Sequence, residues 1–208
     1  MNNQFCLRTV RIISILILSA LLLSGCLGNN SRPASYYLLT ADKSLEIIAA
    51  RSEKPPAILI RAVHIPDYLD RKQIVTRQSA HGLMVSDQHR WGGRFRKNIG
   101  RVLSTNLSHY LTGASVAVSP HSQPINADYL LEISIQVFEQ LENGLVMLTV
   151  DWYLIDAESL ESVSFGKENI SSETAIPENN YHAIVASMSR ALDMLAHKIA
   201  YVVSQQNR

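Results

Sequence analysis

The chain has 208 residues, 47% of them hydrophobic, and a formal net charge of +1. This length fits one domain with a substantial core, and the near-neutral charge argues against a nucleic-acid partner, which would call for a strongly basic surface. Both cysteines, Cys6 and Cys26, lie near the amino terminus, so the rest of the chain must be stabilised by packing without disulfides.

The first 25 residues have the organisation of a bacterial secretory signal. Arg8 and Arg11 precede an apolar run of 12 residues (12–23), and residues 23–26 read Leu-Ser-Gly-Cys, which is a lipobox. The run is shorter than the roughly 20 residues of a transmembrane helix. We therefore predict cleavage before Cys26 and lipidation of Cys26 on its thiol and its new amine, which gives a stable anchor. The alternatives are an ordinary signal peptide or an uncleaved anchor with an incidental cysteine.

These features divide the chain into a signal peptide (1–25), a lipidated tether (26–34) and one folded domain (35–208). The tether is short and mostly polar, so the domain is expected to lie close to its membrane. Loss of Arg8 and Arg11 changes the net charge to about −1. Leu27 is not the aspartate associated with retention at the inner membrane, so we expect sorting to the outer membrane, facing the periplasm.

The first part of the domain is predicted to be mainly strands. Residues 36–40 and 57–65 are strand candidates, and a short helix is expected at residues 44–50. Shorter strands at residues 74–77 and 83–86 flank a turn at Gly82 and are expected to be peripheral.

A helix is predicted over residues 90–111, with Gly113 as its stop. Its apolar face has Phe95, Ile99, Val102, Leu103, Leu107 and Tyr110 at helical spacing. A basic stripe is predicted on the opposite face, formed by Arg90, Arg94, Lys97 and Arg101. The stripe is suited to phospholipid head groups or to an acidic partner, and the alternative is an ordinary solvated face.

A hairpin is predicted where residues 129–139 and 145–155 flank Asn143-Gly144, the dipeptide that favours a two-residue type I′ turn. Trp152 is then expected in the core. That turn sets the pairs on one apolar face: Val137 with Val150, Ile135 with Trp152, and Ile133 with Leu154.

A further strand is predicted at residues 162–171 and a last amphipathic helix at residues 179–204. Long helices with one apolar stripe need a sheet to cover. The predicted fold class is therefore α/β, a single domain in which two long amphipathic helices pack on a mixed β-sheet as a two- or three-layer sandwich.

Charge is unevenly distributed along the domain. Residues 61–101 hold nine basic and three acidic side chains, whereas residues 128–193 hold twelve acidic and two basic ones. We expect a polar charge axis that orients the tethered domain or guides subunits head to tail. Two solvated faces are the alternative.

The sequence has no recognisable catalytic or ligand-binding motif. A Gly-x-Ser-x-Gly elbow, a phosphate-binding glycine loop and a His-Glu-x-x-His pair are all missing. The seven histidines are scattered without ligand spacing. We predict no catalytic residue, no metal and no cofactor, although a site assembled from distant residues stays open.

Three features resemble the ABC-type transport auxiliary lipoproteins of the PqiC kind. They are Tyr36-Tyr37-Leu38-Leu39 soon after the lipobox, Ile65-Pro66-Asp67-Tyr68-Leu69 after the second strand, and Trp91 at a helix start. The resemblance covers essentially the whole mature chain. It departs from the family after Trp91, where Gly92-Gly93-Arg94-Phe95 stands in place of the small residue, acidic or polar residue and Pro-Leu that the family commonly has.

The resemblance implies an outer-membrane lipoprotein that docks an MCE-domain protein of an inner-membrane transporter, helps to move lipids between membranes and supports envelope integrity. It also implies a homo-oligomeric ring as one arrangement. Candidate partner-binding residues are Tyr68, Leu69 and Trp91 together with the basic stripe; for Pro66 we favour strand termination. The alternative function is a lipoprotein enzyme acting on envelope lipid or cell-wall material.

Overall fold

A computed structural model describes residues 13–14, 33–41, 55–120 and 126–206. Cys26 and the helix predicted at residues 44–50 lie outside the described residues. Residues from Ala34 onward belong to one compact unit, and the structure below is that of this unit.

The described part of this unit contains eight strands and two long helices. The helices are α1 (Phe95–Tyr110) and α2 (Tyr181–Ser204). The strands are β1 (Ser35–Tyr37), β2 (Ala57–His64), β3 (Gln73–Ser79), β4 (Gly82–Trp91), β5 (Ser115–Val118), β6 (Tyr129–Gln140), β7 (Val146–Asp156) and β8 (Ser162–Ser171).

All eight strands form one mixed sheet, and β6 is its central element. On one edge, β6 pairs with β7, which pairs with β8, both antiparallel. On its other edge the sheet forks. The first half of β6 pairs in parallel with β2, which leads to β5, and its last residue, Gln140, pairs with Thr76 of β3, which leads to β4 and β1.

Both helices pack side by side on one face of this sheet, so the sandwich has two layers. Every residue predicted for the apolar face of α1 is buried, and Trp152 lies in the same core. The Tyr110 hydroxyl joins the helices by donating to the Asp193 carboxylate at 3.1 Å. The predicted fold class of a mixed sheet with two packed helices is confirmed.

The prediction that α1 begins at residue 90 is wrong, because Arg90 and Trp91 are the last residues of β4. Arg90 pairs with Gln73 and Trp91 pairs with Tyr37. Extended backbone in this segment is therefore stabilised by two neighbouring strands, and the helix starts only after Gly92 and Gly93.

Strands β3 and β4 are also longer and more central than predicted. Three consecutive β3 residues, Ile74, Val75 and Thr76, are buried, because β3 lies between β4 and β6. The first strand, in contrast, ends at Tyr37 instead of residue 40. The backbone of Leu39 bonds to a side chain instead, donating to Asn98 Oδ1 at 2.7 Å and accepting from Asn98 Nδ2 at 3.2 Å.

The hairpin forms where it was predicted, but its register differs from the prediction. Leu141 N–H donates to the Leu145 carbonyl, and Gly144 has a φ of 79°, so the loop is a three-residue turn with a left-handed glycine. A bulge between Ile135 and Val137 shifts the pairing again. The observed pairs are Ile135 with Val150, Ile133 with Trp152 and Leu131 with Leu154. Each shift moves the register by one residue, so beyond the bulge the two shifts together restore the predicted face. The residues that keep it are Ile133, Ile135, Val150, Trp152 and Leu154. Val137 lies between the turn and the bulge and moves to the opposite face.

Strand β8 has the predicted bounds, and its Gly166 lies beneath the buried Trp152. A Cβ at Gly166 would lie 2.4 Å from Trp152 Nε1. A side chain at this position would have to displace the indole from the core.

We expect Gly166→Ala to lower the free energy of unfolding by about 1–3 kcal/mol, because the added methyl group overpacks the core. Urea unfolding measures this change. Gly93→Ala is the matched control, since a Cβ at Gly93 meets nothing within 4 Å, and its effect should be small. Equal stability of the two variants would contradict the packing described.

Candidate functional site

The segment of residues 65–69 forms a turn between β2 and β3. β2 ends at His64, in agreement with strand termination at Pro66, and Leu69 N–H donates to the Pro66 carbonyl at 3.0 Å. Ile65 and Leu69 are buried in the core, and Leu69 is only 3% exposed. Leu69 therefore holds the turn against the sheet and presents little surface to a partner.

Tyr68 connects this turn to a buried carboxylate. Glu139 of β6 has no exposed surface, and its oxygens accept a hydrogen bond from the Tyr68 hydroxyl at 2.6 Å and from Arg77 Nε at 2.7 Å. Burial raises the pKa of Tyr68 to about 12, with a further contribution from Glu139. The hydrogen bond to Glu139 also raises the pKa of Arg77. We call Tyr68, Arg77 and Glu139 the Glu139 triad.

Trp91 is a core residue at the junction of β4 and α1. It is 5% exposed and stacks on Phe95 with ring centroids 4.3 Å apart, and Phe95 in turn stacks on Phe138. Its backbone N–H donates to the Lys72 carbonyl at 2.7 Å. Trp91 thus fixes the start of α1 against the sheet.

A groove of about 720 Å³ lies between α1 and strands β2 and β5. Three residues of the predicted stripe, Arg94, Lys97 and Arg101, line it. Arg90 does not, because it is in β4, where its Nε donates to the Asp87 carbonyl. We call this cleft the basic groove.

Two further cations line the basic groove that were not among the predicted site residues. Arg61 lies at the bulge of β2 between Ile60 and Ala62, and Arg96 lies in the first turn of α1. Each is paired with a carboxylate: Arg61 Nε donates to Glu132 at 2.8 Å, and Arg96 pairs with Asp70. A helical stripe alone does not predict Arg61, which belongs to another element.

An exposed aromatic pair lies on the opposite face of the sheet from the helices. Phe165 of β8 is 66% exposed and Tyr153 of β7 is 39% exposed, and they are direct register partners with ring centroids 6.4 Å apart. Val163 extends the same surface and is also exposed. These residues are not among the sequence-predicted site residues, although Phe165 alternates with polar neighbours in β8, a pattern that indicates an exposed aromatic side chain.

The part of the chain that the structure describes shows no group of three or more His, Cys, Asp or Glu side chains placed to hold a metal ion. Neither of the two described helices has the length and apolar character needed to cross a bilayer.

In the basic groove, the Ser104 hydroxyl donates to the Val116 carbonyl at 2.9 Å, so it is engaged in holding α1 to β5.

Comparison with known proteins connects this fold to a family. The model of the family described as ABC-type transport auxiliary lipoprotein component matches residues 37–200. No curated protein matches the sequence.

Two crystal structures have similar folds. One, of an uncharacterized protein, is 21% identical with a TM-score of 0.64, and the match covers 82% of this chain and 99% of the other. A Xanthomonas campestris protein of the DUF330 family is 15% identical with a TM-score of 0.67, covering 82% and 95% of the two chains. At these identities the similarity supports the fold alone.

The Glu139 triad predicts a specific pH dependence. The pKa of Tyr68 is raised above its unfolded value of 10 to about 12, so the folded state holds this proton more tightly than the unfolded state. The associated stability is present below pH 10 and is lost as the pH rises through 12.

We expect the stability difference between the native chain and Tyr68→Phe to decrease between pH 10 and 12, since phenylalanine has no proton to lose. Thermal unfolding of both proteins across this range measures the difference. Tyr201→Phe, at an exposed tyrosine of α2, is the control and should follow the native chain. A Tyr68→Phe curve parallel to the native one would contradict the triad.

Proposed function

The chain belongs to the ABC-type transport auxiliary lipoprotein family, and from that premise we propose that it is a non-catalytic docking component of an intermembrane lipid transport system. The single observation that carries the proposal is the family match over residues 37–200. In this proposal Cys26 anchors the domain in the outer membrane facing the periplasm. There it docks an MCE-domain protein of an inner-membrane transporter and supports envelope integrity.

A short lipid tether supports docking physically. It holds the folded domain at one membrane, so a partner that reaches across the periplasm meets a high local concentration of binding sites. A ring of identical subunits, which the family resemblance implies, would present several copies of the docking surface together.

We place the docking anchors on the exposed aromatic pair, Tyr153 and Phe165. Protein interfaces are centred on aromatic anchors, and large exposed aromatic side chains are otherwise unfavourable in water. Of the sequence-predicted candidates, Leu69 and Trp91 are buried, and the Tyr68 hydroxyl is bonded to Glu139. The ring of Tyr68 is half-buried and stays a secondary candidate.

The alternative, an enzyme acting on envelope material, needs convergent catalytic groups. No serine or threonine hydroxyl that lines the basic groove is hydrogen-bonded to a histidine within the described residues, and Asp70 of the groove is paired with Arg96. No observation favours this alternative, and the experiment below separates the two functions.

We expect tagged residues 27–208 to recover an MCE-domain protein from solubilised native membranes. Phe165→Ser should reduce this recovery by about tenfold or more, because truncation of a central aromatic anchor costs about 2 kcal/mol or more. Quantitative mass spectrometry of the captured proteins measures both effects.

The matched control is Tyr201→Ser, which removes an exposed aromatic side chain from α2, in the helical layer, and should leave recovery unchanged. Failure of folded bait to enrich any MCE-domain protein would contradict docking. Normal recovery by Phe165→Ser would refute the aromatic pair as the anchor while docking itself stands.

A further inference from the structure

The basic groove has a cationic lining that its own carboxylates only partly neutralise. Five cationic side chains and one carboxylate, Asp70, line it. Arg61 and Arg96 have carboxylate partners. Arg94 and Arg101 have no such partner in the described part of the chain, and no acidic residue lies in the first turn of α1.

The position of Arg101 is fixed by a neutral group. Its Nη2 donates to the Leu39 carbonyl at 3.0 Å, which orients the guanidinium without neutralising its charge. Arg94 lies two helical turns away on the same side of α1, with Lys97 between them. The arrangement is a row of cations along one wall of the groove.

The other wall, formed by β2 and β5, is mainly apolar. It is lined by Ile60, Ala62, Val63, Val116, Val118 and Pro120, together with the polar residues Arg61, His64 and Ser119. Gly100 allows α1 to approach this wall closely, since a Cβ there would lie 3.2 Å from Val118 Cγ1. The volume of about 720 Å³ is within the roughly 300–1,000 Å³ that is usual for small-ligand sites.

We propose that the basic groove binds the phosphate of an anionic phospholipid, with the adjoining glycerol and first acyl carbons against the apolar wall. Guanidinium groups pair with phosphate oxygens through two parallel hydrogen bonds, which favours phosphate as the charged group. A free phosphate ion would leave the apolar wall uncovered, whereas an amphiphile satisfies both walls. Lipid binding here is independent of the docking surface on the opposite face of the sheet.

The test uses the full lipidated chain in a neutral maltoside detergent, titrated with dihexanoylphosphatidylglycerol and followed by calorimetry. We expect saturable binding that Arg94→Gln/Arg101→Gln weakens by about tenfold or more, because hydrogen bonds to charged groups are lost. Thr105→Trp should weaken binding similarly, because it narrows the groove from the exposed side of α1 without changing charge. This second variant keeps the test valid if Arg101 is needed for folding.

The control is Arg71→Gln/Arg190→Gln, which removes the same charge at two exposed positions outside the groove lining and should bind normally. Titration with inorganic phosphate separates the two sources of the group. Binding of phosphate as tight as that of the lipid would overturn the lipid assignment, and so would the absence of saturable lipid binding.

Loss of partner recovery in Arg94→Gln/Arg101→Gln, without lipid binding by the native chain, would identify the groove as the seat of an acidic protein and overturn the proposal. If the native chain recovers its partner but does not bind the lipid, and the variant also recovers the partner, only the lipid site is overturned. The two proposals therefore fail separately.

Discussion

The buried carboxylate of Glu139 is the constraint on which much of this structure depends. A charge without solvent is costly unless it is paired and hydrogen-bonded, and among the described residues Arg77 and Tyr68 are the side chains that bond to Glu139. These two residues come from β3 and from the turn before it. Strand β3 shares a single register pair, Thr76 with Gln140, with β6, and the bond between Arg77 and Glu139 adds a side-chain connection between the same two strands. β4 pairs with β3, β1 pairs with β4, and α1 begins shortly after β4, so the positions of these three elements depend on β3.

This chain of dependence positions both proposed functional surfaces. β4 brings Trp91 into the core and delivers Arg94 to the basic groove, on the helical side of the sheet. The hairpin and β8 place Phe165 and Tyr153 on the opposite side. The surface proposed for a lipid and the surface proposed for a protein therefore lie on different layers. The turn at residues 65–69 supports this arrangement from within, since Ile65 and Leu69 are buried in the core.

Local patterns predicted the elements whose partners are near in sequence. The alternation in β8 gave its bounds, and the spacing of apolar residues gave the buried faces of both helices. The spacing around Arg90 and Trp91 fits a helix as well as a strand. The segment forms a strand because it pairs with β1 and β3. The hairpin register depended on a three-residue loop and a bulge that alternation does not reveal. Glu139 reads as an outward residue, because the partners that bury it are 62 and 71 residues away.

The role of Glu139 is tested most directly by the free energies of unfolding of Arg77→Gln, Glu139→Gln and the double variant. Removal of Arg77 alone should cost about 3–5 kcal/mol, because it leaves a buried charge without its partner. The double variant should be more stable than Arg77→Gln, since the uncompensated charge is then gone. A loss below about 1 kcal/mol for Arg77→Gln, or strictly additive effects in the double variant, would contradict the dependence of the fold on this carboxylate.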